Sequence, residues 1–236
     1  MFEWLEVKNL KKQIWDNIIL KNISFNIEKW KSIWFIWDNG AWKTTTIKIL
    51  SWINKPDSWE VIFDWKSVFE MTKNNKVWYL PEKTYFPNYL TWREFINFIC
   101  DLNNIEINNE DLINVFKELK LQDSIDKKIK EYSKWMMQRL GFISLIVNKN
   151  IEYLFLDEPM SWLDHVWQLE TIEIINSLKN KWITIMITSH HMNEIEAICD
   201  EIIFIRKWDI LERKSIKDIL KDFKTLKDYY LFISKN

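Results

Sequence analysis

Two glycines in 236 residues restrict folding more than any other feature of this sequence. Turns that need positive φ are cheap for glycine and costly for a residue with a bulky Cβ substituent. At the usual share of roughly 7%, a chain of this length holds about 17 glycines; this one holds sixteen tryptophans instead. Many of them stand in turn contexts: EKWKS around Trp30, DSWEV around Trp59, FDWKS around Trp65, NKWIT around Trp182 and RKWDI around Trp208. They follow neither the helical nor the strand period that a stripe of core aromatics requires. A row of stacking platforms for sugars or single-stranded nucleic acid leaves the missing glycines unexplained. The pattern fits a chain in which one codon, UGA, is written as tryptophan but read as glycine. The abundance of Ile, Lys and Asn matches an AT-rich genome, where such reassignments occur.

Length and charge set the class. A hydrophobic share of 47% fills the core of one domain, with room for a subdomain. Thirty-three basic side chains balance 34 acidic ones, so nothing electrostatic argues for nucleic acid as a partner. Cys100 and Cys199 are isolated and lack metal-ligand spacing, which favours free thiols in a reducing, cytoplasmic setting. There is no run of 18 apolar residues, and MFEWLEVKNL lacks the layout of a signal peptide. The expectation is a soluble protein, so that any work at a membrane needs another polypeptide to supply the spans.

Periodicity alternates along the chain. Strands are expected at Phe2 to Val7, Ile18 to Ile27, Ser32 to Ile36 and Glu60 to Phe63, with a helix from about Lys43 to Leu50. A helical stretch runs from Thr91 to Asn148, opened by a capping box of Thr91 and Glu94. Strands return at Tyr153 to Leu156, Ile183 to Ile187 and Glu201 to Ile205, alternating with helices at about Leu163 to Leu178 and Met192 to Ala197. Helix-separated apolar strands imply a mainly parallel sheet covered by helices, with an N-terminal antiparallel β region beside it. The expected organisation is a single α/β domain: residues 1–87 and 150–210 form the core, 88–149 an inserted helical subdomain, and 211–236 a C-terminal tail.

The richest motif is FIWDNGAWKTTT, from Phe35 to Thr46. With glycine at Trp37 and Trp42 it fits G-x-x-x-x-G-K-[ST] after an apolar strand and before a helix. Chemistry explains the pattern. Successive backbone N–H groups of Trp37, Asp38, Asn39, Gly40, Ala41 and Trp42 curl round phosphates, and the helix N-terminus adds partial positive charge. Lys43 reaches the β and γ phosphates, Thr44 ligates Mg²⁺, and Thr45 follows on the same turn. Indoles at 37 and 42 would fill the space the phosphates need. The bland reading makes the Lys-Thr-Thr run a simple helix start. In YLFLDEP an apolar strand ends in two carboxylates at the carboxyl edge of the sheet. Asp157 suits Mg²⁺ and Glu158 suits polarisation of an attacking water; in isolation the pair would read as solvated carboxylates.

The order of FIWDNGAWKTTT, EYSKWMMQRL (Glu131 to Leu140), YLFLDEPMSWLD (Tyr153 to Asp164) and ITSHHMNEIEAICD (Ile187 to Asp200) resembles the ATP-binding subunits of ABC transporters, from about Val7 to Ile210. The resemblance implies a P-loop NTPase fold with a RecA-like core, and ATP and Mg²⁺ as ligands. It implies that Ser133 and the residue at Trp135 contact the γ phosphate of ATP on an opposite subunit, in a head-to-tail homo- or heterodimer. Ser161 to Asp164, including Trp162, would link the two sites, and His190 rather than His191 would hold the γ phosphate and the water. A lone His near a strand end is usually structural, so that role rests on the flanking residues. VWYLPEK (Val77 to Lys83) sits at the Q-loop, where Glu82 replaces glutamine as a candidate metal ligand; this LPE form resembles the branch serving ABC-2 type exporters. Ile14 stands where an aromatic residue usually stacks on adenine. Tyr132, Lys134 and Met136 depart from the signature, while Gln138 and Arg139 match it. Trp4 and Trp92 occupy places where the family accepts residues other than glycine.

Three functional readings follow. The first is an ATP-hydrolysing subunit that drives a separate membrane permease, peripheral on the inner face of the cell membrane. The second is a soluble ATPase of the same lineage without a permease. The third takes the tryptophans as real and makes the chain a scaffold that binds no nucleotide. Left-handed positions then cost roughly 1 to 2 kcal/mol each, which over several sites rivals the 5 to 15 kcal/mol or so that holds a domain together.

Overall fold

The computed structural model describes residues 4–37, 40–161 and 163–235; Asp38, Asn39 and Trp162 lie outside it, as do the side chains of Ala41, Trp59, Trp135 and Lys235. In chain order the strands are β1 (Trp4–Ile14), β2 (Asn17–Glu28), β3 (Ser32–Trp37), β4 (Ser58–Phe63), β5 (Lys66–Ser67), β6 (Val77–Leu80), β7 (Tyr153–Asp157), β8 (Thr184–Thr188), β9 (Glu201–Arg206) and β10 (Asp209–Ser215). The helices are α1 (Gly40–Leu50), α2 (Val68–Lys73), α3 (Trp92–Leu102), α4 (Asn109–Glu118), α5 (Lys134–Val147), α6 (His165–Lys179), α7 (Met192–Ile198), α8 (Ile216–Asp222) and α9 (Leu226–Lys235). The chain divides into two units, one running to Tyr79 and resuming at Glu152, the other comprising Leu80–Ile151.

The first unit is built on two sheets. One is antiparallel, in the order β2-β1-β4-β5; the other has the order β10-β9-β3-β8-β7-β6. In the second sheet β3 pairs in parallel with both β8 and β9, and β7 with β8, while β10 returns antiparallel on β9. Every residue of β3, β7 and β8 is buried, as their unbroken apolar runs demand of strands covered on both faces. In β1, by contrast, Leu5 and Val7 are buried while Trp4 and Glu6 are half-exposed, the alternation of a sheet with one covered face. This is the mixed α/β architecture expected, with a mostly parallel sheet and an antiparallel one.

The second unit is helical, and its helix starts are written in side chains. Thr91 accepts from the Glu94 N–H while the Glu94 carboxylate accepts from the Thr91 N–H at 2.8 Å, closing the capping box at α3. Asn108 accepts from the Asp111 N–H at 2.7 Å and caps α4. Phe86, Trp92, Phe95 and Tyr132 form an aromatic cluster with centroid separations of 4.8–5.6 Å.

Several details differ from expectation. Residues 211–235 are not a plain tail: they complete β10 and form α8 and α9, whose starts carry Ser215 and Thr225 accepting from the Asp218 and Asp228 N–H groups. Trp59 lies inside β4 rather than in a turn; the strand extends because Ser58 pairs with Lys11 of β1. Trp30, Trp65, Trp182 and Trp208 do stand at positive φ, at 64°, 68°, 64° and 74°. Cys100 and Cys199 are free and buried, and burial pushes both thiols above their ordinary range. Among the described residues no helix is long and apolar enough to cross a membrane.

Candidate functional site

The central strand β3 runs between β8 and β9 and stops at Trp37; α1 begins at Gly40. Parallel strands bring their carboxyl ends to one edge, where open α/β sheets bind ligands. The register of β7 and β8 sets Asp157 opposite Thr188 at that edge. Chain order therefore delivers the first turn of α1, the end of β7 and the segment after β8 to one place.

Their side chains meet. The Lys43 side chain, 7% exposed, points its Nζ to within 3.6 Å of Glu158 Oε1 and 3.4 Å of His190 Nε2. His190 Nε2 lies 3.2 Å from the same Glu158 oxygen, and the His190 N–H donates to Glu158 Oε2 at 3.2 Å. Beside this triangle Thr44 Oγ1 donates to Asp157 Oδ2 and Thr188 Oγ1 to Asp157 Oδ1, each at 2.7 Å. The Tyr79 hydroxyl approaches Oδ2 at 3.4 Å. Asp157 and Glu158 are buried, and burying a carboxylate is costly unless hydrogen bonds or an opposite charge compensate it. Asp157 is compensated by hydroxyls, Glu158 by Lys43. Sequence reasoning does not single out Thr188 or Tyr79. A threonine ending an apolar strand carries no motif, and only the pairing of two strand ends identifies it.

Glu158 departs from the strand at φ 49°, with its N–H donating to the Thr188 carbonyl at 3.0 Å. That turn directs the carboxylate back toward Lys43 instead of along the strand. Its Oε1 has ion-pair contacts but no well-formed hydrogen bond among the described residues. A carboxylate oxygen with a lone pair to spare, beside a basic imidazole and an ammonium, can orient and polarise a water molecule.

Indoles surround the start of α1. Trp37 and Trp42 meet edge to face with centroids 5.2 Å apart, and Trp42 stacks on Trp208 at 5.3 Å. Trp208 donates through Nε1 to the Ile19 carbonyl at 3.3 Å. Trp37 is buried, yet its Nε1 finds no acceptor among the described residues. Thr45, on the same turn as Thr44, is half-buried. Ile14, at the end of β1, is exposed. Of the remaining candidates, Asp38, Asn39 and Trp162 fall outside the described residues.

Glu82, Ser133 and Trp135 belong to the helical unit. Glu82 follows β6 and is half-buried. Ser133 is the N-cap of α5, accepting from the Met136 N–H at 3.4 Å, and Trp135 lies in the first turn of that helix. Tyr132 is buried and donates its hydroxyl to the Ser124 carbonyl, while Arg139 donates to the Leu119 carbonyl at 2.9 Å. These contacts hold the chain on either side of Ser133.

Known proteins are similar to this chain in sequence and in fold. The family model described as ABC transporter matches residues 20–161. An uncharacterised ABC transporter ATP-binding protein of Synechocystis is 32% identical over 209 residues, 85% of this chain and 58% of that protein. A lantibiotic transport ATP-binding protein of Streptococcus pyogenes is 31% identical over 210 residues, covering 89% of this chain and 90% of that one. The chain spans 58% and 62% of the lengths of the first two curated relatives it matches. In fold it is similar to the solved ATP-binding subunit of an ABC transporter, at a TM-score of 0.83 and 20% identity over 98% of this chain and 99% of that one. A dimeric ATP-binding cassette bound to ADP and Pi superposes with a TM-score of 0.79 and 18% identity, over 90% and 98%. With more than half its length matched by the family model, the chain belongs to the ABC transporter family, among its ATP-binding proteins.

Proposed function

We propose that this chain binds ATP with Mg²⁺ where β3 runs into α1, hydrolyses it there, and so drives a separate membrane permease. The observation that carries the reading is the contact triangle of Lys43, Glu158 and His190 beside the Thr44–Asp157 pair. Lys43 binds the β and γ phosphates as a point charge. Glu158 orients and polarises the attacking water, and His190 holds that water and the γ phosphate. Thr44 and Asp157 fit a magnesium ion, because both offer hard oxygen atoms and those atoms already stand 2.7 Å apart. When bound, the ion would be held by Thr44 and Asp157 and would supply positive charge against the charge that builds up on the phosphate.

The loop between Trp37 and Lys43 cradles phosphate only with glycine at 37 and 42, since backbone must approach the ligand there. The two units make one ATPase domain, and Ser133 with position 135 supplies contacts to nucleotide on a second subunit in a head-to-tail dimer. The LPEK sequence after β6, with Glu82, favours a partner of the ABC-2 exporter type. The chain then sits on the cytoplasmic face of the membrane through that partner. What supports this part is family membership and the relative named for lantibiotic transport.

The test uses chain carrying Trp37→Gly, Trp42→Gly, Trp135→Gly and Trp162→Gly. It should hydrolyse ATP in the presence of Mg²⁺, and adding Glu158→Gln should lower kcat by about 10²- to 10⁴-fold with ATP still bound. Full turnover by the Glu158→Gln variant, or no nucleotide binding by its parent, refutes the assignment.

A further inference from the structure

We infer that the tryptophan positions of this chain are glycine in the protein as the cell makes it. Six tryptophans, at 15, 30, 52, 65, 182 and 208, have φ between 54° and 74°. Only a few per cent of non-glycine residues adopt positive φ, and bulky ones hardly ever do; here six of the fifteen described tryptophans do so. Among the described residues the other positive-φ positions are mostly Asn and Asp, the side chains that tolerate this region best. Neither written glycine is there: Gly40 opens α1 and Gly141 lies inside α5. Residues that need no φ freedom are written glycine, and residues that need it are written tryptophan.

The surroundings agree. Trp15 and Asp16 form the two-residue loop joining Ile14 to Asn17, and positive φ at the first loop residue is where hairpins favour glycine. Trp15, Trp65 and Trp182 are 90%, 70% and 69% exposed, so burial does little to offset their backbone strain. Trp37 and Trp92 show the opposite fault. Both are buried with an indole N–H that reaches no acceptor among the described residues, whereas a buried tryptophan normally finds one. Decoding acts on a codon and not on a position, so the same substitution extends to every tryptophan written UGA; two glycines where about 17 are usual extend it to all sixteen sites, including Trp34 and Trp208, whose indoles do find acceptors. None of this depends on whether the chain hydrolyses ATP.

The experiment is intact-mass measurement and peptide mapping of protein isolated from the cells that encode it. The result expected is a mass below the 29.1 kDa of the written chain by sixteen tryptophan-to-glycine differences, glycine at each mapped site, and emission from tyrosine with no tryptophan component. The coding DNA should carry TGA, the DNA form of UGA, at all sixteen. Tryptophan recovered at any of the six positive-φ sites overturns the inference, as do UGG codons there. Glycine at those six with tryptophan elsewhere overturns its extension to the whole codon.

Discussion

Trp15 and Trp65 allow the backbone cost to be measured apart from the loss of the indole. Both stand at positive φ, 54° and 68°, and both are largely exposed. They flank opposite ends of β1: Trp15 follows Ile14, and Trp65 follows Phe63, the partner of Leu5. Effects at the two sites should therefore add. Comparing each tryptophan directly with glycine mixes terms of similar size. Removing what is buried of the Trp65 ring, about 75 Å² of a full ring near 250 Å², sacrifices up to about 2 kcal/mol at 25 cal/mol per Å², enough to cancel the relief. Alanine and glycine variants share that loss and differ only in Cβ. An alanine in the left-handed region costs roughly 1–2 kcal/mol, and the extra freedom of unfolded glycine returns about 0.5–1 kcal/mol. Glycine should thus exceed alanine by about 0.5–1 kcal/mol at each site. The double glycine variant should melt roughly 2–8 °C above the double alanine variant, at 2–4 °C per kcal/mol. Trp78, inside β6 and absent from the positive-φ set, supplies the opposite sign, with alanine above glycine by about 0.5–1 kcal/mol. Urea and thermal unfolding of the glycine and alanine variants decide it. Equal glycine and alanine midpoints at 15 and 65, or a preference of the same sign at all three sites, refute the reasoning.

Further outcomes follow from the site and its supports. Thr44→Ala removes one proposed magnesium ligand and takes the 2.7 Å hydroxyl from Asp157 Oδ2, which keeps the longer Tyr79 contact; the Mg²⁺ concentration for half-maximal ATPase should rise at least tenfold, and an unchanged titration would count against the Thr44–Asp157 pair. Ser133→Ala deletes the N-cap of α5 and should destabilise the chain by about 1 kcal/mol, read as a lower urea midpoint that Ser133→Asp restores. Burial works against the Asp200 charge, but hydrogen bonds from Lys179 and from the Ser32 N–H and hydroxyl outweigh it and hold the carboxyl below its ordinary range. The folded value is depressed, so its stabilisation is complete above the unfolded value near 3.8 and is lost as pH falls through the folded one. Asp200→Asn should flatten the acid side of the stability profile and leave its slope near neutral pH unchanged.

Much of this architecture is legible in the sequence, for physical reasons. Short apolar runs such as YLFLD and TIMIT, too brief for helices, read as buried strands, and Thr91 with Glu94 announces a helix because two side chains satisfy two free N–H groups. The C-terminal helices are harder to read, although SIKD and TLKD carry the same serine or threonine with a carboxylate three residues on; the density of charge masks them. Turn chemistry places Trp30, Trp65, Trp182 and Trp208 correctly at left-handed positions, because each follows a polar residue and precedes a strand-like segment. It fails at Trp59, where DSWEV looks alike but pairing with β1 draws the segment into a strand. No local pattern exposes the hydroxyl of Thr188 on Asp157, which exists only once two strands align.

Glu158 at φ 49° gives the proposed catalytic edge of the sheet an evolutionary signature. Its backbone would relax with asparagine or glycine, and its buried carboxylate would vanish with either. A laboratory selection for heat resistance alone should therefore erode this position early, producing tougher chains that have lost turnover. A glutamate that survives only when turnover is also selected marks a residue kept for work and not for endurance.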